Sequence, residues 1–135
     1  MKVADASAAV AAASPSHESH EAAFDALAPA HPGIVAHAAF ETYSALTRMP
    51  DPHRMHPVEA LLFLDDWFGD RWIGLTAAAQ CLLLGRLSAW GIHGGATYDA
   101  LIGATAAAEG ATLVTADRRA LATYARVGAS VELVA

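Results

Sequence analysis

Short apolar runs alternate with longer amphipathic segments along the whole chain. Five such runs predict β-strands at 2–5, 33–36, 72–75, 112–115 and 131–134. Apolar positions at helical spacing predict helices at 8–13, 17–27, 38–47, 57–68, 77–90, 96–109 and 118–127. Strands that alternate with helices are typical of a mostly parallel sheet with helices on both faces. We therefore expect an α/β protein, a three-layer α/β/α sandwich around a central five-stranded sheet.

Two of the predicted helices carry more detailed expectations. Ser16 is the predicted N-cap of helix 17–27, because its hydroxyl can accept a hydrogen bond from the first turn. In helix 57–68, four apolar side chains fall on one stripe: Leu61, Leu64, Trp67 and Phe68. We expect that stripe to pack against the core.

Length and composition fit one globular domain spanning residues 1–135. Apolar residues make up 55% of the chain, which excludes disordered and collagen-like classes. The one cysteine, Cys81, excludes an internal disulfide framework and a cysteine-based zinc site, as suits a reducing cytoplasm. Its leucine-rich surroundings predict a small buried residue. No apolar stretch reaches the ~18 residues of a membrane span, so we expect a soluble cytoplasmic protein.

The net charge limits how the protein can bind nucleic acid. Eight basic and fourteen acidic residues give a net charge of −6. An acidic domain does not bind nucleic acid through bulk electrostatics, so binding requires metal ions or a local basic patch. Arg48, Arg118 and Arg119 are candidate phosphate contacts for such a patch, although solvated helix turns are the simpler explanation for them.

Four acidic residues lie where a parallel sheet places its ligands. Asp5 closes the first predicted strand, and Asp117 lies just beyond the fourth, next to the hydroxyl of Thr115. Ligands of such sheets bind outside the carboxyl ends of the strands. Glu41 and Asp99 lie on predicted helices, and Asp99 shares an inward stripe with apolar residues. An inward carboxylate is unfavourable unless a cation or hydrogen-bond donors compensate it.

Each of these acids also has a purely structural explanation. Asp5 and Asp117 are suited to cap helix N-termini. Glu41 and Asp99 are suited to the first turn of a helix, where a negative charge complements the dipole. Taken singly, either explanation stands, whereas the joint pattern favours a shared site.

Four segments of the chain resemble PIN-domain ribonucleases, specifically the VapC-type toxins of bacterial toxin–antitoxin pairs. The matching segments are VADAS at 3–7, FETYSALTRMP at 40–50, GGATYDAL at 94–101 and GATLVTADRRA at 110–120. Their order and spacing follow the family over almost the whole chain. Ala116 departs from the pattern, because relatives often carry a polar or basic residue there, and we expect less substrate contact at that position.

The resemblance implies a PIN-like fold, a function and a site. It implies a metal-dependent endoribonuclease, the toxin of a type II toxin–antitoxin system, that hydrolyses RNA with a metal-activated water. The family's four acids fall on Asp5, Glu41, Asp99 and Asp117, which we expect to hold Mg²⁺ or Mn²⁺, and its supporting hydroxyl falls on Thr115. The implied partners are a small cognate antitoxin (VapB-like), a transfer or ribosomal RNA loop, and a second copy in a homodimer.

Two other functional classes compete with this interpretation. A receiver-like phosphoacceptor domain needs an Asp at the end of the third strand and a Lys after the fifth. The chain has Leu75-Thr76 and Val134-Ala135 at those places, and its one lysine is Lys2. A catalytically inactive PIN-like binding module would be indicated by the loss of one of the four acids, and all four are present. That module stays open as the alternative function.

Overall fold

A computed structural model describes residues 1–135 of the chain. The five strands are β1 (Lys2–Ala4), β2 (Gly33–Val35), β3 (Trp72–Ile73), β4 (Thr112–Thr115) and β5 (Ser130–Leu133). The seven helices are α1 (Ala6–Ala13), α2 (His20–Leu27), α3 (Ala36–Arg48), α4 (Pro57–Phe68), α5 (Ala77–Trp90), α6 (Ala96–Ala108) and α7 (Leu121–Arg126). Two 3₁₀ turns, Ala28–Ala30 and Arg118–Ala120, follow α2 and precede α7.

The sheet is parallel throughout, with the strand order β3-β2-β1-β4-β5. Val3 pairs with Gly33 on one side and with Leu113 on the other, so β1 lies at the centre. The chain builds outward from β1 to β3 and then returns to add β4 and β5 on the opposite side. The strand order therefore reverses between β1 and β4, which is where open α/β sheets bind their ligands.

Helices cover the sheet in two groups. In one group, α1 packs against α2 and α3, and α3 packs against α4; in the other, α6 packs against α5 and α7. This is the three-layer α/β/α arrangement, and the expected fold class is confirmed. None of the seven helices combines the length and the apolar character needed to cross a bilayer.

Alanine dominates the main hydrophobic core. Of its 22 buried residues, 11 are alanines, so helices can approach the sheet and one another closely. Helix α1 shows the effect most clearly, because it buries Ala8, Ala9, Ala11 and Ala12 and packs against α2, α3 and β4. The close packing of α1 holds its N-terminus at the carboxyl end of β1.

The expected start of the second helix is wrong. Helix α2 begins at His20, and the preceding segment forms two turns in which the His17 N–H donates to the Ser14 carbonyl and the His20 N–H to the His17 carbonyl. Ser16 is exposed and caps no helix. The reason is local, since the His17 ring accepts the Ser19 N–H at 3.0 Å and stabilises a turn in place of a helical start.

Two expectations of burial are also wrong. Leu61 is 52% exposed, because α4 faces the core with residues four apart, Ala60, Leu64 and Phe68. Cys81 is exposed as well, because α5 buries only Leu83 and Leu87. Both helices therefore present leucines to the surface: Leu61, Leu62, Leu82 and Leu84.

Candidate active site

Asp5 is a buried carboxylate between β1 and α1, with only 3% of its surface exposed. Its Oδ1 accepts hydrogen bonds from the Ala8 N–H at 2.9 Å and the Ser7 hydroxyl at 2.7 Å. Its Oδ2 accepts a hydrogen bond from the Tyr124 hydroxyl at 2.7 Å. Burial raises the pKa of Asp5, and these donors together with the Thr115 hydroxyl oppose that rise. Three donors thus compensate a charge that the fold has removed from water.

A directed chain of hydrogen bonds joins Asp5 to the end of β4. The Ser7 Oγ lies 3.1 Å from the Thr115 Oγ1 and accepts the Ala116 N–H at 2.8 Å, while the Thr115 Oγ1 accepts the Asp117 N–H at 3.1 Å. The Ser7 hydroxyl donates its one proton to Asp5, so in its contact with Thr115 the Thr115 hydroxyl is the donor. Each donor polarises the next, and the chain ties the two strand ends into one unit.

Glu41 and Asp99 reach this edge of the sheet from α3 and α6. Both are half-buried, and burial is the main reason that the pKa of each is raised. The charges of Asp99 and Asp5 raise the pKa of Glu41 further, while His37 opposes them, its Nε2 lying 4.0 Å from the Glu41 Oε1. The charges of Asp117 and Asp5 likewise raise the pKa of Asp99. Asp99 therefore lies within electrostatic range of the other three predicted acids, and Asp5 lies within range of both Glu41 and Asp99.

Asp117 lies at the open side of the cluster. Its Oδ1 accepts the Arg119 N–H at 2.9 Å, and the Arg119 Nε lies 3.6 Å from the same oxygen. A cleft of about 410 Å³ runs along this side and is lined by residues that include Ser7, Glu41, Arg48, Asp117 and Arg119. Two arginines therefore border the cleft next to the carboxylates.

The structural explanations account for part of the acid pattern. Asp5 caps α1 and Asp117 caps the 3₁₀ turn before α7, so both do the work of N-caps. Asp99 lies in the first turn of α6, but Glu41 lies beyond the first turn of α3. Capping also explains neither the burial of Asp5 nor the convergence of acids from four different elements. Asp5 and Asp117 therefore cap helices and also belong to the acid cluster.

The donor set fits a hard divalent cation. No three carboxylate, imidazole or thiol side chains are close enough to hold a metal ion together as they stand. Mg²⁺ does not require such a cage, because it usually binds one or two carboxylates directly and keeps several waters. Four oxygen-donor side chains without sulfur favour Mg²⁺ or Mn²⁺ over softer metals. The residues fit an ion held partly through water.

Sequence reasoning missed two residues that hold Asp5. Ser7 lies within the VADAS segment, and its position two residues after Asp5 was a usable signal. Tyr124 gave no signal, because its contact with Asp5 spans 119 residues of chain. Gly103 on α6 makes room for it, since a Cβ there would come within 2.9 Å of the Tyr124 ring and 2.7 Å of Val127.

Comparison with known proteins identifies the family of the chain. Residues 2–127 match the PIN domain. The chain belongs to the PIN-domain family. Ribonuclease VapC40 of Mycobacterium tuberculosis is 48% identical over 120 residues, which cover 87% of each chain. Ribonuclease VapC27 of the same organism is 36% identical over 127 residues, covering 88% of this chain and 86% of its own.

A solved structure shows the same fold as this PIN domain. The VapBC2 structure from Rickettsia felis, bound to a DNA fragment from their promoter, superposes with a TM-score of 0.68 at 20% identity. It covers 98% of this chain and 97% of the matched one. The resemblance to VapC-type PIN ribonucleases, drawn from four short segments, is confirmed.

Replacing Asp99 by Asn tests whether the acids of this PIN domain share one site. The raised pKa of Asp99 means that the folded state keeps a proton that the unfolded chain loses near the ordinary value of 3.8. Stability is therefore highest below that value and falls as the pH rises through the raised folded-state pKa. Without metal, we expect Asp99→Asn to be at least as stable as the wild type at neutral pH, with a shallower pH dependence in urea unfolding.

The matched control for Asp99→Asn is Asp25→Asn, at an exposed acid on α2. Added Mn²⁺ should raise the melting temperature of the wild type and of Asp25→Asn by more than that of Asp99→Asn, because ligand binding stabilises the folded state. A clear loss of metal-free stability in Asp99→Asn, with an unchanged response to Mn²⁺, would mean that the acids do not share a site.

Tyr124→Phe tests whether the buried tyrosine holds Asp5 in place. The change keeps the ring but leaves the Asp5 Oδ2 without its donor, in a position that water does not reach. We expect a loss of about 1–3 kcal/mol in the free energy of unfolding, the usual cost of an unpaired buried group. We also expect weaker stabilisation by Mn²⁺. Urea unfolding with and without Mn²⁺ measures both, and Tyr43→Phe at an exposed tyrosine should change neither.

Proposed function

We propose that this PIN domain is a metal-dependent endoribonuclease that acts as the toxin of a type II toxin–antitoxin pair. One observation carries the proposal. At the point where the strand order reverses, hydrogen bonds through Ser7 and Thr115 join Asp5 to the Asp117 backbone, and the charge of Asp99 acts within range of the other acids. A fold gains no stability from placing like charges together in a half-buried site. Such a cluster is explained by a cation that binds there, and the similar proteins named ribonuclease supply the reaction.

The residues of the cluster divide into direct ligands and supports. Asp5 and Asp99 are proposed as primary ligands, and Glu41 and Asp117 as ligands that act directly or through water. Thr115 supports the site through the hydrogen-bonded chain that orients Asp5 and Asp117. A bound Mg²⁺ or Mn²⁺ would supply Lewis acidity toward the phosphoryl group and a water of lowered pKa.

The charges around the cleft fit an RNA backbone that enters beside the acids. Arg48 and Arg119 border the cleft, and the side chain of Arg119 is almost fully exposed to incoming phosphates. The protein as a whole is acidic and does not attract RNA through its net charge. The positive charges of these two arginines provide a local attraction for phosphates at the cleft. Single-stranded loops of transfer or ribosomal RNA are the proposed substrates, because their bases and phosphates are accessible to such a cleft.

A small antitoxin is the proposed partner. Helix α4 exposes Val58, Leu61 and Leu62, an apolar surface suited to a partner segment. An arginine from that segment could pair with the carboxylates of the site and occupy the place of the cation. We further propose a homodimer, to which exposed leucines such as Leu82 would contribute, and a cytoplasmic location, where its RNA substrates are found.

RNA cleavage that depends on a divalent ion is the first test of this function. Purified protein, freed of its partner, should cleave RNA in Mg²⁺ or Mn²⁺ and stop when EDTA is added. Asp99→Asn should lower the cleavage rate by orders of magnitude, whereas Asp25→Asn should not. Gel analysis of RNA over time measures the rates, and sequencing of the new RNA ends identifies the cut sites. Undiminished cleavage in excess EDTA, or by Asp99→Asn, would rule out the metal mechanism.

Growth arrest and its relief test the role as a toxin. Expression of the wild-type chain alone should arrest growth, and co-expression of the small protein encoded just upstream should restore it. The two proteins should also copurify as a stable complex. If the wild type is harmless at levels verified by immunoblot, the toxin assignment fails and the inactive PIN-like binding module becomes the better description.

A further inference from the structure

Two aromatic rings stack beside the acid cluster, and one of them, Tyr98, has no part in the site described so far. The rings of His37 and Tyr98 lie parallel within 1°, with their centroids 5.1 Å apart. This is the offset-stacked arrangement that aromatic pairs prefer. Tyr98 is 51% exposed, so His37 covers only part of its ring. A large aromatic surface therefore faces solvent in a fixed orientation.

The pair of rings lies next to two of the four acids. Tyr98 directly precedes Asp99 on α6, and His37 lies one turn before Glu41 on α3. The His37 Nε2 is 4.0 Å from the Glu41 Oε1, so the stack borders the carboxylates themselves. A nucleotide with its phosphate at the acids would have its base within reach of the Tyr98 ring.

A groove continues from Tyr98 away from the acids. It has a volume of about 390 Å³, and its lining includes Gln80, Thr97, Tyr98 and Leu101. The Gln80 Nε2 donates to the Leu75 carbonyl at 3.0 Å, which leaves the Gln80 carbonyl oxygen as an acceptor at the groove. Tyr98 is common to the stack and the groove, so an inserted ring could lie on Tyr98 with apolar walls around it.

We propose that Tyr98, backed by His37, is a stacking platform for one unpaired nucleobase of the RNA, adjacent to the phosphate held at the acid cluster. This inference rests on the proposed ribonuclease function and adds a contact with the base to it. Stacking suits this protein because an aromatic face attracts bases without positive charge, and the net charge of the chain is −6. Tyrosine and histidine are among the side chains on which unpaired RNA bases stack.

The competing explanation is that the stack only links α3 to α6. In that case, removal of the Tyr98 ring would lower stability without a specific effect on RNA. A second competing explanation is that the groove is a contact between two copies of the chain. In that case, removal of the ring would change the oligomeric state and not the affinity for RNA. The experiment therefore measures RNA binding, thermal stability and oligomeric state on the same set of variants.

The probe is a fluorescein-labelled single-stranded RNA of mixed sequence, bound to the full chain in Ca²⁺ and followed by fluorescence anisotropy. Ca²⁺ has the charge and the oxygen preference of Mg²⁺ and neutralises the carboxylates. We expect Tyr98→Ala to weaken binding at least about 5-fold, the low end of the contribution of one stacked base. Tyr98→Phe keeps the ring and should bind within about 2-fold of the wild type.

Two further comparisons make the test specific to stacking. Tyr43→Ala removes another exposed tyrosine, on the face of α3 away from Glu41, and should leave RNA affinity unchanged. A series of RNAs, each with one abasic nucleotide, should contain one member for which the wild type and Tyr98→Ala bind equally. If Tyr98→Ala proves unstable on melting, Tyr98→Leu replaces it, because leucine keeps the apolar packing without an aromatic face.

Three results would overturn the inference. Equal RNA binding by the wild type and by Tyr98→Ala, or by Tyr98→Leu where it replaces Tyr98→Ala, with cleavage intact, would leave the ribonuclease function standing without a stacking platform. Equal weakening in Tyr98→Phe would assign the effect to the hydroxyl. A change of oligomeric state at unchanged RNA affinity would assign the surface to a contact between copies. Absence of RNA cleavage by the wild type would instead contradict the proposed function.

Discussion

The burial of the Asp5 carboxylate is the constraint on which the site depends. A buried charge is unfavourable unless donors compensate it, and here the donors come from two separate places in the fold. Ser7 and the Ala8 N–H belong to the N-terminal turn of α1, and Tyr124 belongs to α7. Through Ser7, the network of hydrogen bonds extends to Thr115 at the end of β4. The strands and helices that meet at this edge therefore also supply the donors that offset the cost of burying the carboxylate.

Small residues make this convergence sterically feasible. Half of the main core cluster is alanine, so α1 lies close to its neighbours and its N-terminal amides reach the Asp5 carboxylate. Gly103 has the same effect on the other side of the sheet, because any side chain there would collide with the Tyr124 ring and with Val127. Close packing in both helical layers thus serves the electrostatics of one buried group.

The sequence predicted the order and type of every strand and helix, because apolar periodicity is a local property. The four acids were also locatable, since their positions relative to strand ends and helix starts follow from the same pattern. The failures all involve contacts between distant or competing groups. The His17 ring displaced the helix start expected at Ser16, and exposure of Cys81 depends on where α5 packs. The contact of Tyr124 with Asp5 forms only in the folded chain, and the spacing of residues in the sequence does not indicate it.

The four acids are proposed to form one cation site at the sheet edge. A crystal structure of the protein soaked in Mn²⁺, with data collected at the manganese absorption edge, tests it most directly. We expect an anomalous peak in direct contact with Asp5 or Asp99, with Glu41 and Asp117 bound directly or through ordered water. Absence of a peak there at saturating Mn²⁺, or a peak only among surface histidines, would contradict it.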